Sequence, residues 1–200
     1  MNKEFSVARP QNPQIRARLL NQAIDYVILH GLGDLTLRPL AKALKTNARM
    51  LVYHFGSREG LMREVLKGLR EREDARIQSW FRTGKMPRTL PQFLRWYWMR
   101  LSAPQAKPAL RLVFELYAIA LRDPQKYPGV LEDPLMYWQS LIKRAGIPSK
   151  SKVDRSEATL LLAATRGLSL DLCAMRDRHR VTGAMELLAQ FVEWRARSTK

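Results

Sequence analysis

Apolar residues recur at spacings of three and four along almost the whole chain, and no stretch alternates apolar with polar residues as a half-buried strand does. This periodicity confines the chain to an all-α fold, which glycine and proline cut into about nine helices. The first runs from Pro13 to His30, with Ile15, Leu19, Ala23, Tyr26 and Val27 on one face. It stops at Gly31 and Gly33, since glycine readily takes the left-handed conformation past a helix end. Two short helices follow, over 37–44 and 48–54. Thr36 stands at the N-cap of the first, and Pro39 lies in its first turn, where a missing N–H costs little. Ser57 caps a fourth helix that begins at Arg58 and runs to about Phe81. Beyond the breakers Gly84, Pro87 and Pro91 come helices over about 90–101, 109–122, 131–145, 154–176 and 181–197.

With 200 residues and 46% hydrophobic content, the chain can bury a core and carry one smaller attached domain. Its net charge of +17 favours polyanionic partners, nucleic acid first and an anionic membrane surface second. The excess is spread along the chain, so it does not by itself locate a binding site. A single cysteine, Cys173, rules out an intrachain disulfide and fits a reducing cytoplasm. No apolar stretch approaches the roughly 20 residues that span a bilayer. The polar segment from Met1 to Pro13 reads as a basic arm, continued by Arg16 and Arg18.

Residues 36–61, TLRPLAKALKTNARMLVYHFGSREGL, read as a helix-turn-helix: two short helices joined by the turn Lys45-Thr46-Asn47. Leu37, Leu40, Ala41 and Leu44 give the first helix an apolar face, and Leu51 and Phe55 give one to the second. What remains outward on the second helix is polar or basic. A helix that enters the major groove needs that division.

The stretch resembles the tetracycline-repressor-like family of bacterial regulators. The resemblance rests on Gly31 followed by Thr36, the pair Leu40-Ala41, and the tail Tyr53-His54-Phe55-Gly56-Ser57-Arg58-Glu59-Gly60-Leu61. It covers residues 15–66 closely and the remainder in architecture. Three positions depart from the family pattern: Arg58 in place of lysine, Pro39 in the first helix, and a lysine where the turn usually has glycine. The expected DNA-contacting residues are Thr36, Arg38, Thr46, Asn47, Ala48, Arg49, Met50, Tyr53, His54 and Arg58. Arg49 can fork onto the O6 and N7 of a guanine or rest on a phosphate. Asn47 can cap its helix or reach DNA. His54 can meet a phosphate or pack as a buried ring. Arg58 lies at a helix N-terminus, where backbone N–H groups already favour anions.

Residues 1–57 are thus expected to form the DNA-binding domain, and residues 58–200 a ligand-binding and dimerisation domain. The latter is rich in aromatics. Trp96, Tyr97 and Trp98 in succession point in different helical directions and are not all expected in one core, so one of them should face a cavity. Candidate ligand residues are Trp96, Tyr97, Arg111, Phe114, Tyr117, Trp138 and Arg166. An arginine among them would orient an anionic, aromatic effector. The helix over 154–176 is apolar nearly all round. One side can pack on its own domain, while the other needs a partner, and Ala163 and Gly167 permit close approach. With the last helix it suggests a two-fold dimer through residues 154–197. Arg166 and Asp171 inside it are either paired or in contact with ligand. The scattered histidines, the lack of a metal-ligand spacing or nucleophile motif, and the apolar neighbours of Cys173 argue against an enzyme and imply no cofactor. The expectation is a homodimeric, ligand-responsive repressor that a small molecule releases from a palindromic operator. A non-sensing DNA-architectural protein and a basic membrane-surface binder stand as alternatives.

Overall fold

The computed structural model describes residues 12–33, 35–82, 86–125, 134–147, 155–175 and 177–198. Among these the secondary structure is helical: α1 (Pro13–His30), α2 (Leu37–Ala43), α3 (Ala48–Phe55), α4 (Arg58–Arg82), α5 (Leu90–Leu101), α6 (Lys107–Arg122), α7 (Pro134–Arg144), α8 (Arg155–Ala174) and α9 (Arg178–Ser198), with a 3-10 turn at Pro104–Ala106. The chain divides into two compact units, one ending at Arg76 and the other starting at Ile77.

In the first unit, Asn12 starts α1 by accepting hydrogen bonds from the N–H groups of Gln14 (2.9 Å) and Ile15 (3.4 Å). Gly31 ends it with φ +81°. Leu19, Ala23, Ile24 and Val27 form the buried stripe of α1, and Leu61, Met62 and Val65 are buried on α4. α4 approaches α1 so closely that a Cβ at Gly68 would lie 2.3 Å from Ile24 Cδ1. Arg72 adds an ion pair to Asp25 and donates to the carbonyl of Asn21. The compact unit therefore runs past 57, the boundary read from sequence, because the start of α4 completes its core.

In the second unit, α5 lies against α9. The Trp98 indole donates to Thr182 Oγ1 (3.2 Å), and Arg95 pairs with Glu186 (2.7 Å). That hydrogen bond raises Arg95 above the usual guanidinium pKa and lowers Glu186 below the usual carboxylate range. Trp96 and Trp98 both enter the same core, with Tyr97 partly buried against it. Two of the three are thus buried in one core, and Tyr97 is the one left partly exposed. Trp98 reaches α9, whereas Trp96 meets Trp80 and Phe81 of α4 and Phe93 of its own helix. α5 is enclosed on most of its circumference, burying Leu90, Pro91, Phe93, Leu94 and Leu101 as well.

Two helix starts differ from the sequence reading. α6 begins at Lys107, two residues before the expected start, because Pro108 fits in a first turn instead of breaking the helix. α9 begins at Arg178, ahead of Val181, because Asp177 Oδ1 accepts from the N–H of Arg180 (2.9 Å) and caps it. Residues 131–133, Asp154 and Arg176, expected in helices, lie outside the described residues.

α8 buries one stripe: Ala158, Leu161, Thr165 and Ser169. The two hydroxyls on it bond their own helix, Thr165 Oγ1 to the Leu161 carbonyl and Ser169 Oγ to the Thr165 carbonyl, each at 2.7 Å. The opposite stripe, Leu160, Ala163, Gly167 and Leu170, is exposed. On α9, Leu187, Phe191 and Trp194 are exposed as well.

Candidate nucleic-acid interface

α2 and α3 are joined by a turn closed by backbone bonds from Leu44 N–H to the Leu40 carbonyl (2.9 Å) and from Thr46 N–H to the Ala41 carbonyl (2.9 Å). Lys45 takes φ +52° to make this turn, the one positive φ outside glycine among the described residues. This is the turn position where the family pattern has glycine, and a side chain there carries a conformational cost. After α3 the chain reverses at Gly56, φ +79°, and Ser57 Oγ caps α4 by accepting from the N–H of Gly60 (3.0 Å). A Cβ at Gly60 would lie 2.1 Å from the Phe55 carbonyl oxygen, so a glycine there permits a close backbone approach.

α3 buries Leu51, His54 and Phe55 and exposes Arg49, Val52 and Tyr53. Thr46, Ala48 and Met50 are partly exposed, and Thr36 and Arg38 are exposed at the start of α2. Thr36 occupies the N-cap in extended conformation without a side-chain cap bond. Asn47 spends its side-chain oxygen on the N–H of Met50 (2.9 Å), which is its capping role.

Two expected phosphate contacts are placed differently. His54 is 4% exposed, and neither ring nitrogen has a hydrogen-bond partner among the described residues. It is a packed ring, edge-on to Tyr53 at 5.0 Å, and does not stand at the surface where a phosphate would lie. Arg58 donates from Nε to the Leu35 carbonyl (3.0 Å), so part of its guanidinium ties α4 to the loop ahead of α2. Arg16, read as part of a basic arm, is a further tie. It donates to the His54 carbonyl (3.3 Å), pairs with Glu64 (3.2 Å) and lies 5.2 Å from the centre of the Phe55 ring. Arg18 is exposed on α1, and Arg9 lies outside the described residues.

The expected ligand residues fall into separate places. Trp96, Tyr97 and Trp138 gather around Phe93, with ring centres 5.2–5.9 Å apart. Phe93, at the centre, is not among the candidate ligand residues. Trp96 and Trp138 are buried, and their indole N–H groups have no hydrogen-bond acceptor among the described residues. Arg100, which the sequence reading passed over, lies 4.1 Å from the Trp96 ring centre, and burial lowers its pKa. Its i,i+4 spacing from Trp96 was a readable signal. Arg166 donates to Tyr117 Oη (2.7 Å) and covers its ring, joining α8 to α6. Phe114 is partly buried against the core, and Arg111 is exposed. Asp171 pairs with Arg180 (2.9 Å), so Arg166 and Asp171 have different partners. Burial raises the Cys173 thiol pKa, while Lys107 and Arg111 pull it down. The described residues contain no cluster fit for a metal ion and no helix long and apolar enough to cross a membrane.

Residues 19–65 match the family model for bacterial regulatory proteins of the tetR family. The fold is similar to that of several solved structures. The multidrug binding protein EbrR, complexed with imidazole, is 22% identical with a TM-score of 0.63, over 95% of this chain and 96% of its own. A TetR-family transcriptional regulator from Rhodococcus sp. is 19% identical with a TM-score of 0.63, over 90% and 98%. Salmonella enterica GusR is 18% identical with a TM-score of 0.60, over 91% and 97%. No curated protein matches the sequence. The chain thus carries the helix-turn-helix of the tetR family on a tetR-like all-α fold, as the signature around Tyr53–Leu61 implied.

Proposed function

We propose that the chain is a homodimeric transcriptional repressor that binds a near-palindromic operator and leaves it when a small molecule binds its second unit. The observation that carries the DNA reading is the division of α3. Leu51, His54 and Phe55 anchor the helix inside, which leaves Arg49, Val52 and Tyr53 outward for the major groove. The net charge of +17 supplies the long-range attraction to phosphate. Thr36 and Arg38, Thr46, Ala48 and Met50 flank that face as supporting contacts, and the Arg58 guanidinium, half-exposed beside Glu59, can still turn an edge to a phosphate.

Dimerisation is supported by the exposed apolar stripes of α8 and α9. Two copies would bury Leu160, Leu170, Leu187, Phe191 and Trp194 around the small Ala163 and Gly167. Gly167→Asp should then give a monomer in sedimentation, because an unpaired buried carboxylate is costly. An unaltered dimer in this variant would move the interface elsewhere.

The effector reading is supported by the aromatic cluster around Phe93, by its two indole donors and by Arg100. These are donor groups in apolar surroundings, suited to an aromatic molecule that carries acceptors, such as an aromatic acid. Naming one solved relative a multidrug binding protein agrees with small-molecule response. Release of operator by benzoate-like compounds, and not by benzamidine-like ones of the same shape, is the expected outcome; the reverse order would overturn it. Selection from random duplexes tests the whole reading. It should return a symmetric site, whereas a pool without sequence preference and no response to any compound would favour a DNA-architectural protein.

A further inference from the structure

Arg49 lies three residues before Val52 and four before Tyr53, so the three exposed side chains fall within about 100° of the circumference of α3, with Arg49 in the middle. Arg49 and Tyr53 bring polar groups to it. Val52 brings none, although 40% of its surface is exposed. A lone exposed valine is ordinary on a protein surface. Here it stands beside Arg49, at one flank of the outward face of the helix that the proposed function lays in the major groove. Among the base edges of that groove, the C5-methyl of thymine is the apolar feature. Over a cytosine amino group or a guanine carbonyl, valine would cover polar atoms without bonding them, and this is unfavourable.

We infer that Val52 reads a thymine methyl and thereby sets operator specificity. Three residues advance a helix by about 4.5 Å, against about 3.4 Å per base pair. The required thymine therefore lies one or two base pairs from the base that Arg49 touches. This inference rests on the DNA-binding reading of α3.

The test uses the full chain and the duplex it selects, with each thymine replaced in turn by deoxyuridine, which lacks only the methyl. At one position per half-site the replacement should weaken binding about fourfold, and about fifteenfold when both half-sites carry it. Val52→Ala should weaken binding to the thymine duplex by a similar factor and show no preference between thymine and deoxyuridine there. Arg49→Ala should keep that preference while binding more weakly. Because the deoxyuridine series uses the unaltered protein, its result does not depend on how the variants fold. No effect at any thymine, or an equal loss in the unaltered protein and Val52→Ala, would overturn the inference while leaving DNA binding in place. If no duplex is selected at all, the DNA reading itself falls, and this inference with it.

Discussion

The two compact units use the same residue, arginine, with different emphasis. In the first, three arginines fasten backbone, Arg16 to the His54 carbonyl, Arg58 to the Leu35 carbonyl and Arg72 to the Asn21 carbonyl, and one of them, Arg16, also lies on the Phe55 ring. In the second, three lie on rings, Arg100 on Trp96, Arg144 on Phe81 and Arg166 on Tyr117, while Arg95 and Arg180 pair with carboxylates and Arg100 also donates to the Trp96 carbonyl. The first pattern fixes chain path, because a carbonyl accepts only along certain directions. The second tolerates sliding, because a ring face attracts a cation broadly. A small unit that must hold one short helix in register needs the first kind. A unit whose core is aromatic can be held by the second.

Four substitutions probe this contrast, from the largest expected effect to the smallest. Phe93→Ala removes the ring at the centre of the aromatic cluster and should destabilise the second unit by about 3–5 kcal/mol. All five tryptophans lie in that unit, so their fluorescence reports on its unfolding. Gly60→Ala places a Cβ against the Phe55 carbonyl and should cost the first unit about 2–4 kcal/mol. Operator binding should be lost while the tryptophan melting curve stays in place. A parallel shift of that curve would show that the two units melt as one. Arg49→Ala should weaken specific binding by about 1–3 kcal/mol and relax preference at one base pair per half-site; an unchanged preference would show that Arg49 only meets phosphate. Lys45→Gly relieves the left-handed residue of the turn and should stabilise the first unit by about 0.5–1 kcal/mol, read as a small rise in its melting temperature.

The same contrast explains what the sequence revealed. The turn-and-glycine grammar of residues 31–61 was legible because positive φ accepts few residue types. Gly31, Gly56 and Ser57 announce their places before any coordinates exist, whereas the close approach at Gly60 shows only in the structure. His54 and Arg58 were harder to read, since a buried ring and a phosphate contact suit the same histidine, and a carbonyl and a phosphate both attract the same guanidinium. In the second unit, helices were visible from periodicity but their neighbours were not. Nothing in Trp96-Tyr97-Trp98 tells that α9 takes one side and α4 another. Arg166 and Asp171 share a helix, yet their partners, Tyr117 and Arg180, come from different elements. Any bulky apolar residue can fill an aromatic core, so its arrangement leaves no motif.

Thr165 and Ser169 look like polar flaws in the buried stripe of α8, but each hydroxyl is satisfied within its own helix. To the helices around it, that stripe presents methyl and methylene groups with no bond to break. Displacing α8 along its axis therefore costs no hydrogen bond at either position. The resistance it meets there is mechanical friction between side chains rather than the snapping of a latch. Latches exist outside that stripe, where α8 is tied by polar pairs: Arg166 to Tyr117 of α6, and Asp171 to Arg180 and Glu157 to Arg195 of α9.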